Sequence, residues 1–204
     1  MSNNDTFLTV YSPSQGLYKE KGSKFISYLF HVDAEEEIKD HLARIKKEHH
    51  DARHHCYAYM LGKEGENWRA NDDGEPSGTG GKPILGQLKS SEITNVLIIV
   101  VRYFGGTLLG VSGLANAYKA AAADAIANAH LEQHVIHESW RIEFPYSAMN
   151  DVMKILKDDN IEQSDHQFDL DCAMVIKPRQ SDSARVLEKF SLIDGFKSSL
   201  ISVY

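Results

Sequence analysis

The sequence predicts a mixed α+β protein built as two domains, and three observations carry that reading. Strand-like and helix-like patterns alternate through the first 130 residues. A polar stretch around residues 130–138 then interrupts the pattern as a linker does. Beyond it a second pattern runs β-α-β-β-α-β, the ferredoxin-like order. The boundary drawn from these signals gives domains 1–133 and 134–204, and 204 residues suit two small domains.

Taken in order, "KGSKFISYLFHV" (Lys21 to Val32) is rich in β-formers and reads as a strand. Asp33 is placed to cap a helix, with Glu36 in capping-box position. Ile38, Leu42 and Ile45 follow at i, i+4 and i+7 and give that helix one apolar stripe. "HHCYAYML" (His54 to Leu61) is a second strand, and "KEGENWRAND" turns into a short strand around Trp68. "PILGQLKSSE" reads as a short helix with Pro83 in its first turn. "NVLIIVVRYF" (Asn95 to Phe104) is a nearly unbroken apolar run, the mark of a strand buried on both faces. After "GGTLLGVSG", the alanines of "LANAYKAAAADAIANA" suit a helix lying close to a sheet.

In the second domain Trp140, Ile142 and Phe144 alternate as a strand with one buried face. Ser147 is placed to cap a helix carrying Met149, Val152, Met153 and Leu156. Phe168, Leu170, Cys172, Met174 and Ile176 alternate across a stretch containing a hairpin. Ser181 opens a helix with Val186, Leu187 and Phe190, Gly195 ends it, and "KSSLISVY" closes as a strand.

Composition excludes several classes. At 42% hydrophobic and 25% charged residues the chain is core-forming. No apolar run approaches the ~20 residues of a membrane span, and no signal peptide opens the chain, so a cytoplasmic protein is expected. Cys56 and Cys172 make no disulfide framework, and no disulfide-linked partner is expected. The net charge is -7, split -3 before residue 133 and -4 after it, unlike the basic body of a general nucleic-acid binder. Local basic strips remain, at Lys19, Lys21 and Lys24 and within Arg44 to His55.

Three stretches carry chemistry. "GGTLLGVSG" between strand and helix can offer backbone N–H groups to an anion, or can simply be a tight turn. Val111 stands where a P-loop needs lysine, so no P-loop is present. "HHC" places His54 and Cys56 on one strand face and His55 on the other; without zinc-ligand spacing it reads as a core cysteine with a hydrogen-bonded histidine. Neither a metal nor a cofactor is expected. "DDGEPSGTGGKPIL" (Asp72 to Leu85) gathers Asp72, Asp73, Glu75, Ser77, Thr79 and Lys82 among glycines. Those acids suit acid–base work or a turn held by Asx-type bonds. Arg102, a cation ending an apolar strand, requires an acid or a bound anion, with Asp73 or Glu75 as partner in a bidentate pair.

These blocks resemble the IMPACT family and its bacterial YigZ-like branch. "KGSKFI", "ARHHCYAY", "DDGEPSGTGGKPIL" and "NVLIIVVRYFGGTLLG" look like the family's blocks in the family's order. Its signature positions run from Gly81 through Arg102, Tyr103, Phe104, Gly105 and Gly106 to Gly110, and each agrees. The resemblance implies that the first domain has the fold of a small-subunit ribosomal protein's second domain and of the fourth domain of elongation factor G, with a left-handed crossover. It implies a second domain similar to the last domain of elongation factor G. Eukaryotic members regulate translation initiation, so a translation-associated regulator is expected, binding RNA, the ribosome or a translation-factor protein through a glycine-rich rim. The expected rim comprises Lys24, His54, His55, Asp73, Glu75, Ser77, Thr79, Lys82, Arg102, Tyr103, Gly105, Gly106 and Gly110. The alternative is a small-molecule or nucleotide hydrolase using Asp73 or Glu75 with Ser77 or Thr79.

Overall fold

The protein is described from a computed structural model, which covers residues 5–169 and 171–203. Leu170 and Tyr204, named above within strand patterns, lie outside these residues. The chain divides into two compact units, Phe7–His134, and Val135 onward together with Asp5 and Thr6. The first unit runs β1 (Thr6–Val10), β2 (Ser14–Glu20), β3 (Ser23–His31), α1 (Glu35–Glu48), β4 (His54–Leu61), β5 (Asn67–Asn71), α2 (Gly81–Ser90), β6 (Val96–Tyr103), α3 (Gly110–Ala127) and β7 (Leu131–Val135). Five strands form one sheet in the order β2-β3-β6-β4-β5, every neighbouring pair antiparallel.

β6 is the middle strand, and its alternation explains the layering. Val96, Ile98 and Val100 point into a core shared with Leu88 of α2 and Leu114 and Tyr118 of α3. Leu97, Ile99 and Val101 point into a second core with Ile38 and Ile45 of α1. Two-sided burial is therefore literal, with one helix on one face and two on the other. The alanine-rich α3 lies close to the sheet, as its side chains suggest. Ala117, Ala121, Ala122 and Ala125 are wholly buried. Ser27 Oγ donates to the Ala121 carbonyl at 2.6 Å and Ser14 Oγ to the Ala125 carbonyl at 2.7 Å.

Two local expectations are corrected. The α1 cap is displaced by one residue: Ala34 holds the cap position without a side-chain bond, and Glu37 rather than Glu36 accepts the Asp33 N–H, at 3.1 Å. With the helix starting at Glu35, Glu37 is its third residue, and it reaches the N–H of Asp33, one residue before the cap. α3 begins at Gly110, four residues before the expected Leu114. Within the polar stretch around residues 130–138, residues 131–135 form β7, which pairs with β1 in a separate two-stranded sheet.

The second unit runs β8 (Glu138–Pro145), a 3-10 turn (Tyr146–Ala148), α4 (Met149–Asp158), β9 (Glu162–Gln167), β10 (Asp171–Lys177), α5 (Gln180–Ser191) and β11 (Lys197–Val203). Its sheet order, β11-β8-β10-β9, is antiparallel throughout, as in a ferredoxin-like fold. Ile142, Phe144, Cys172, Met174 and Ile176 face Val152, Leu156, Val186 and Phe190 of the helices. Ser147 falls in the 3-10 turn, and α4 starts behind Ala148 with no side-chain cap, so the expected serine cap is absent. Phe168 lies in the β9–β10 connection and is exposed. Asp5 reaches into this unit: both its carboxylate oxygens accept from Arg179, and the Ser181 N–H donates to it at 3.2 Å.

Candidate functional site

Side chains of β6 alternate, so the face that carries Val96, Ile98 and Val100 carries Arg102 next. A guanidinium thus ends an apolar row, with Phe25 and His54 as its neighbours across the ladder. It is only 7% exposed. Its Nη1 donates to Glu75 Oε1 at 2.7 Å, and the Tyr118 hydroxyl donates to the same oxygen at 2.8 Å. Of the two acids proposed from sequence, Glu75 is the partner. The pair is not bidentate, because Glu75 engages Nη1 alone and, among the described residues, the buried Nε–H has no hydrogen-bond partner. The Phe25 and Phe104 rings each lie 5.6 Å from the guanidinium carbon.

The Asp72–Gly81 loop delivers Glu75 and is itself held by its acids. Asp72 accepts the N–H groups of Gly78, Gly80 and Gly81 at 2.8, 2.9 and 2.8 Å, closing the loop and serving the start of α2. Gly80 fits because a Cβ would strike Cys56 Sγ, and Gly81 because one would strike the Asn71 backbone. Asp73 adopts φ 42°. Its carboxylate accepts the His55 N–H at 2.7 Å and Lys46 Nζ at 3.2 Å. Burial works to raise the Asp73 carboxyl, but these two donors outweigh it and hold the group below its ordinary value. The Asp73 carbonyl takes the His54 ring at Nδ1, 2.9 Å away. Thr79 Oγ donates to the Pro76 carbonyl at 2.7 Å. Cys56 donates to the Asp72 carbonyl, and burial pushes its thiol up to about 12.

The glycine loop after β6 packs rather than cradles at its start. A Cβ on Gly105 would fall inside the Gly22–Ser23 peptide, and the Gly105 N–H is already given to Ser23 Oγ at 3.1 Å. Gly106 and Gly110 have open space and instead need positive φ, 88° and 72°. Between this loop and the start of β4 opens a cleft of about 620 Å³. Its lining includes Asp51, Arg53, His54, Arg102, Tyr103, Phe104 and Leu108.

A hydrogen-bonded chain that the sequence did not reveal runs beside the cleft. Tyr103 donates its hydroxyl to Asp51 at 2.9 Å and meets His49 Nδ1 at 2.8 Å; His49 Nε2 meets Tyr28 Oη at 2.6 Å. In the Nδ1–H tautomer every link is satisfied, Tyr28 donating to Nε2. His55 lies on the opposite strand face from His54, as the spacing of the strand requires. Burial lowers the His55 pKa from its ordinary value.

The structure therefore brings His54, Arg102 and Tyr103 to the cleft, with Asp73, Glu75 and Thr79 in the loop behind and Gly105, Gly106 and Gly110 in the loop in front. Lys24, Ser77 and Lys82 are exposed and outside the cleft lining. His49, Asp51 and Arg53 were missed as individual site residues. Asp72, read among the loop's acids, takes the turn-holding role of the two that its pattern offered. Glu75 and Thr79 are committed to internal bonds, and Asp73 to two donors. No group of three or more His, Cys, Asp or Glu suited to a metal ion occurs among the described residues.

The fold and site together define a mixed α+β protein with a cation-floored cleft and acids spent on holding its loop. Comparison with known proteins agrees on one family. The profile of the Impact N-terminal domain matches residues 21–126, and the chain belongs to the IMPACT family. It is 34% identical over 173 residues to an IMPACT family member of Haemophilus influenzae, covering 84% of this chain and 82% of that one. It is 34% identical over 167 residues to IMPACT family member YigZ of Escherichia coli, covering 80% and 82%. A crystal structure described as that of a hypothetical protein superposes with a TM-score of 0.72 at 27% identity, over 97% of this chain and 98% of that one.

Proposed function

We propose that this chain is a cytoplasmic, translation-associated regulator that acts by binding, and that it docks on the ribosome through the rim around the β6 cleft. One observation carries this reading against hydrolysis: the acid best placed for chemistry, Glu75, holds Arg102 and Tyr118 instead of facing the cleft as a free base. Family membership supplies the translation context, since the family resemblance associates its eukaryotic members with control of initiation. The rim offers Arg53 and Lys24 as exposed cations with Phe104 and Leu108 as exposed apolar contacts.

The test is co-sedimentation of the full chain with ribosomes at two salt concentrations. Binding at low salt that weakens at high salt is expected, because contacts to RNA phosphates release counterions. Absence of co-sedimentation at either salt, together with turnover in a phosphatase or esterase screen that Asp73→Asn abolishes, would establish the hydrolase instead.

A further inference from the structure

The geometry points to a nucleoside phosphate unit as the occupant of the β6 cleft, its phosphate on the Arg102 and Arg53 side and its base against Phe104. The inference rests on the binding reading above and names the chemistry of that site.

The anion side is built rather than incidental. Arg102 is more than nine-tenths buried, with Glu75 engaging Nη1 alone and, among the described residues, no partner at its solvent-sealed Nε–H. A guanidinium carries five N–H donors, so this one enters the lining with capacity left over. Arg53 adds a second, exposed cation. His54 donates its Nδ1–H to the Asp73 carbonyl, so Nε2 of the neutral ring is an acceptor, suited to a ribose hydroxyl rather than to a phosphate oxygen. Asp51 is the acid of the lining, and Tyr103 already donates to it.

The apolar side calls for more than an anion. Phe104 is 56% exposed and Leu108 is 82% exposed, on the wall beside the cations. Phe104 is held against the Arg102 guanidinium, which sets one ring face as a fixed platform. Inorganic phosphate or a bare carboxylate would use the donors and leave that wall wet. A planar base covers it by stacking, and every base has the required π-face. The volume, about 620 Å³, lies in the range of small-ligand sites and accommodates a mononucleotide. The same unit can come as a free nucleotide or as one residue of a single-stranded RNA.

The experiment is calorimetric titration of the full chain with inorganic phosphate, AMP, a single-stranded RNA heptamer and an acidic heptapeptide. Arg53→Ala and Phe104→Ala change exposed side chains, and thermal unfolding of each confirms the fold. AMP should bind at least about tenfold more tightly than phosphate, the difference a stacked base supplies. Phe104→Ala should bring AMP to the level of phosphate and leave phosphate binding unchanged, and Arg53→Ala should weaken both. An RNA heptamer that binds more tightly than AMP assigns the unit to a strand, and equal affinity assigns it to a free nucleotide. AMP no tighter than phosphate, indifference to Phe104→Ala, or binding of the acidic peptide alone overturns the proposal. Nucleotide binding without ribosome co-sedimentation would sink the docking reading and keep the cleft assignment. Co-sedimentation of a chain that binds no nucleotide would do the reverse.

Discussion

Arg102 and Glu75 illustrate how one buried pair fixes a loop. Taking away Glu75 leaves a guanidinium at the end of an apolar row with no counter-charge, whereas taking away both groups removes the problem. Glu75→Ala should cost about 3–5 kcal/mol by chemical denaturation. Glu75→Leu combined with Arg102→Leu should cost less than the sum of its two singles. Two neighbouring glycines give a second residue-scale contrast. Gly105→Ala places a methyl in the Gly22–Ser23 backbone, while Gly106→Ala meets open space and only an unfavourable φ. The Gly106 change should cost about 1–2 kcal/mol, the left-handed penalty, and the Gly105 change more, as read from denaturant midpoints. Arg102 was legible as anomalous because the apolar run on either side of it left no other role for a cation. Its partner was not, since Asp73 and Glu75 are two residues apart and only the loop's path decides between them. Tyr28, His49 and Asp51 were invisible as a set, because the contacts join β3, the end of α1 and β6.

At the scale of elements, hydrophobic pattern was a good guide wherever a segment faced a core. β6 and α1 announced themselves through continuous and i, i+4, i+7 apolar positions. β1, β2 and β7 did not, because they are short and largely half-exposed or exposed. α3 shows what small side chains accomplish. Gly16 of β2 packs so near the Ala121 and Ala125 backbone that a Cβ there has no room. Ala121→Leu should therefore destabilise the protein by about 1–3 kcal/mol through overpacking, measured by urea denaturation. Asn116→Ala, on the exposed side of the same helix, should stay within about 0.5 kcal/mol of the parent. An Ala121→Leu protein as stable as the parent would mean that α3 stands off the sheet.

For the whole molecule, pH dependence follows from the buried His55 and the half-buried His41. Burial lowers His55 and His41 from their ordinary 6.5. As pH falls below that value the unfolded chain takes up protons that the folded chain refuses, so stability declines. The urea midpoint should drop between about pH 7.5 and 5.5, and His55→Gln should flatten that slope. A midpoint that rises on acidification contradicts the burial. The carboxyls of Asp5, Asp73 and Asp159 are lowered from 3.8, Asp5 chiefly by Arg179 and Asp159 chiefly by Lys189 and Arg185. Their contribution is fully present above that value and lost as pH falls below it. At this scale the β-α-β-β-α-β order of the second unit was readable from alternation and breakers alone. What sequence could not convey is that the unit also includes Asp5, since a lone acid near the start of a chain has no pattern.

The Asp5–Arg179 contact has a temporal side. Its two residues are 174 positions apart, and the ribosome delivers them in that order, with the whole of the first unit made in between. The first unit can fold while Asp5 is still waiting. Of the second unit, β8, α4, β9 and β10 are already made when Arg179 appears, so Asp5 waits through most of the chain for its partner.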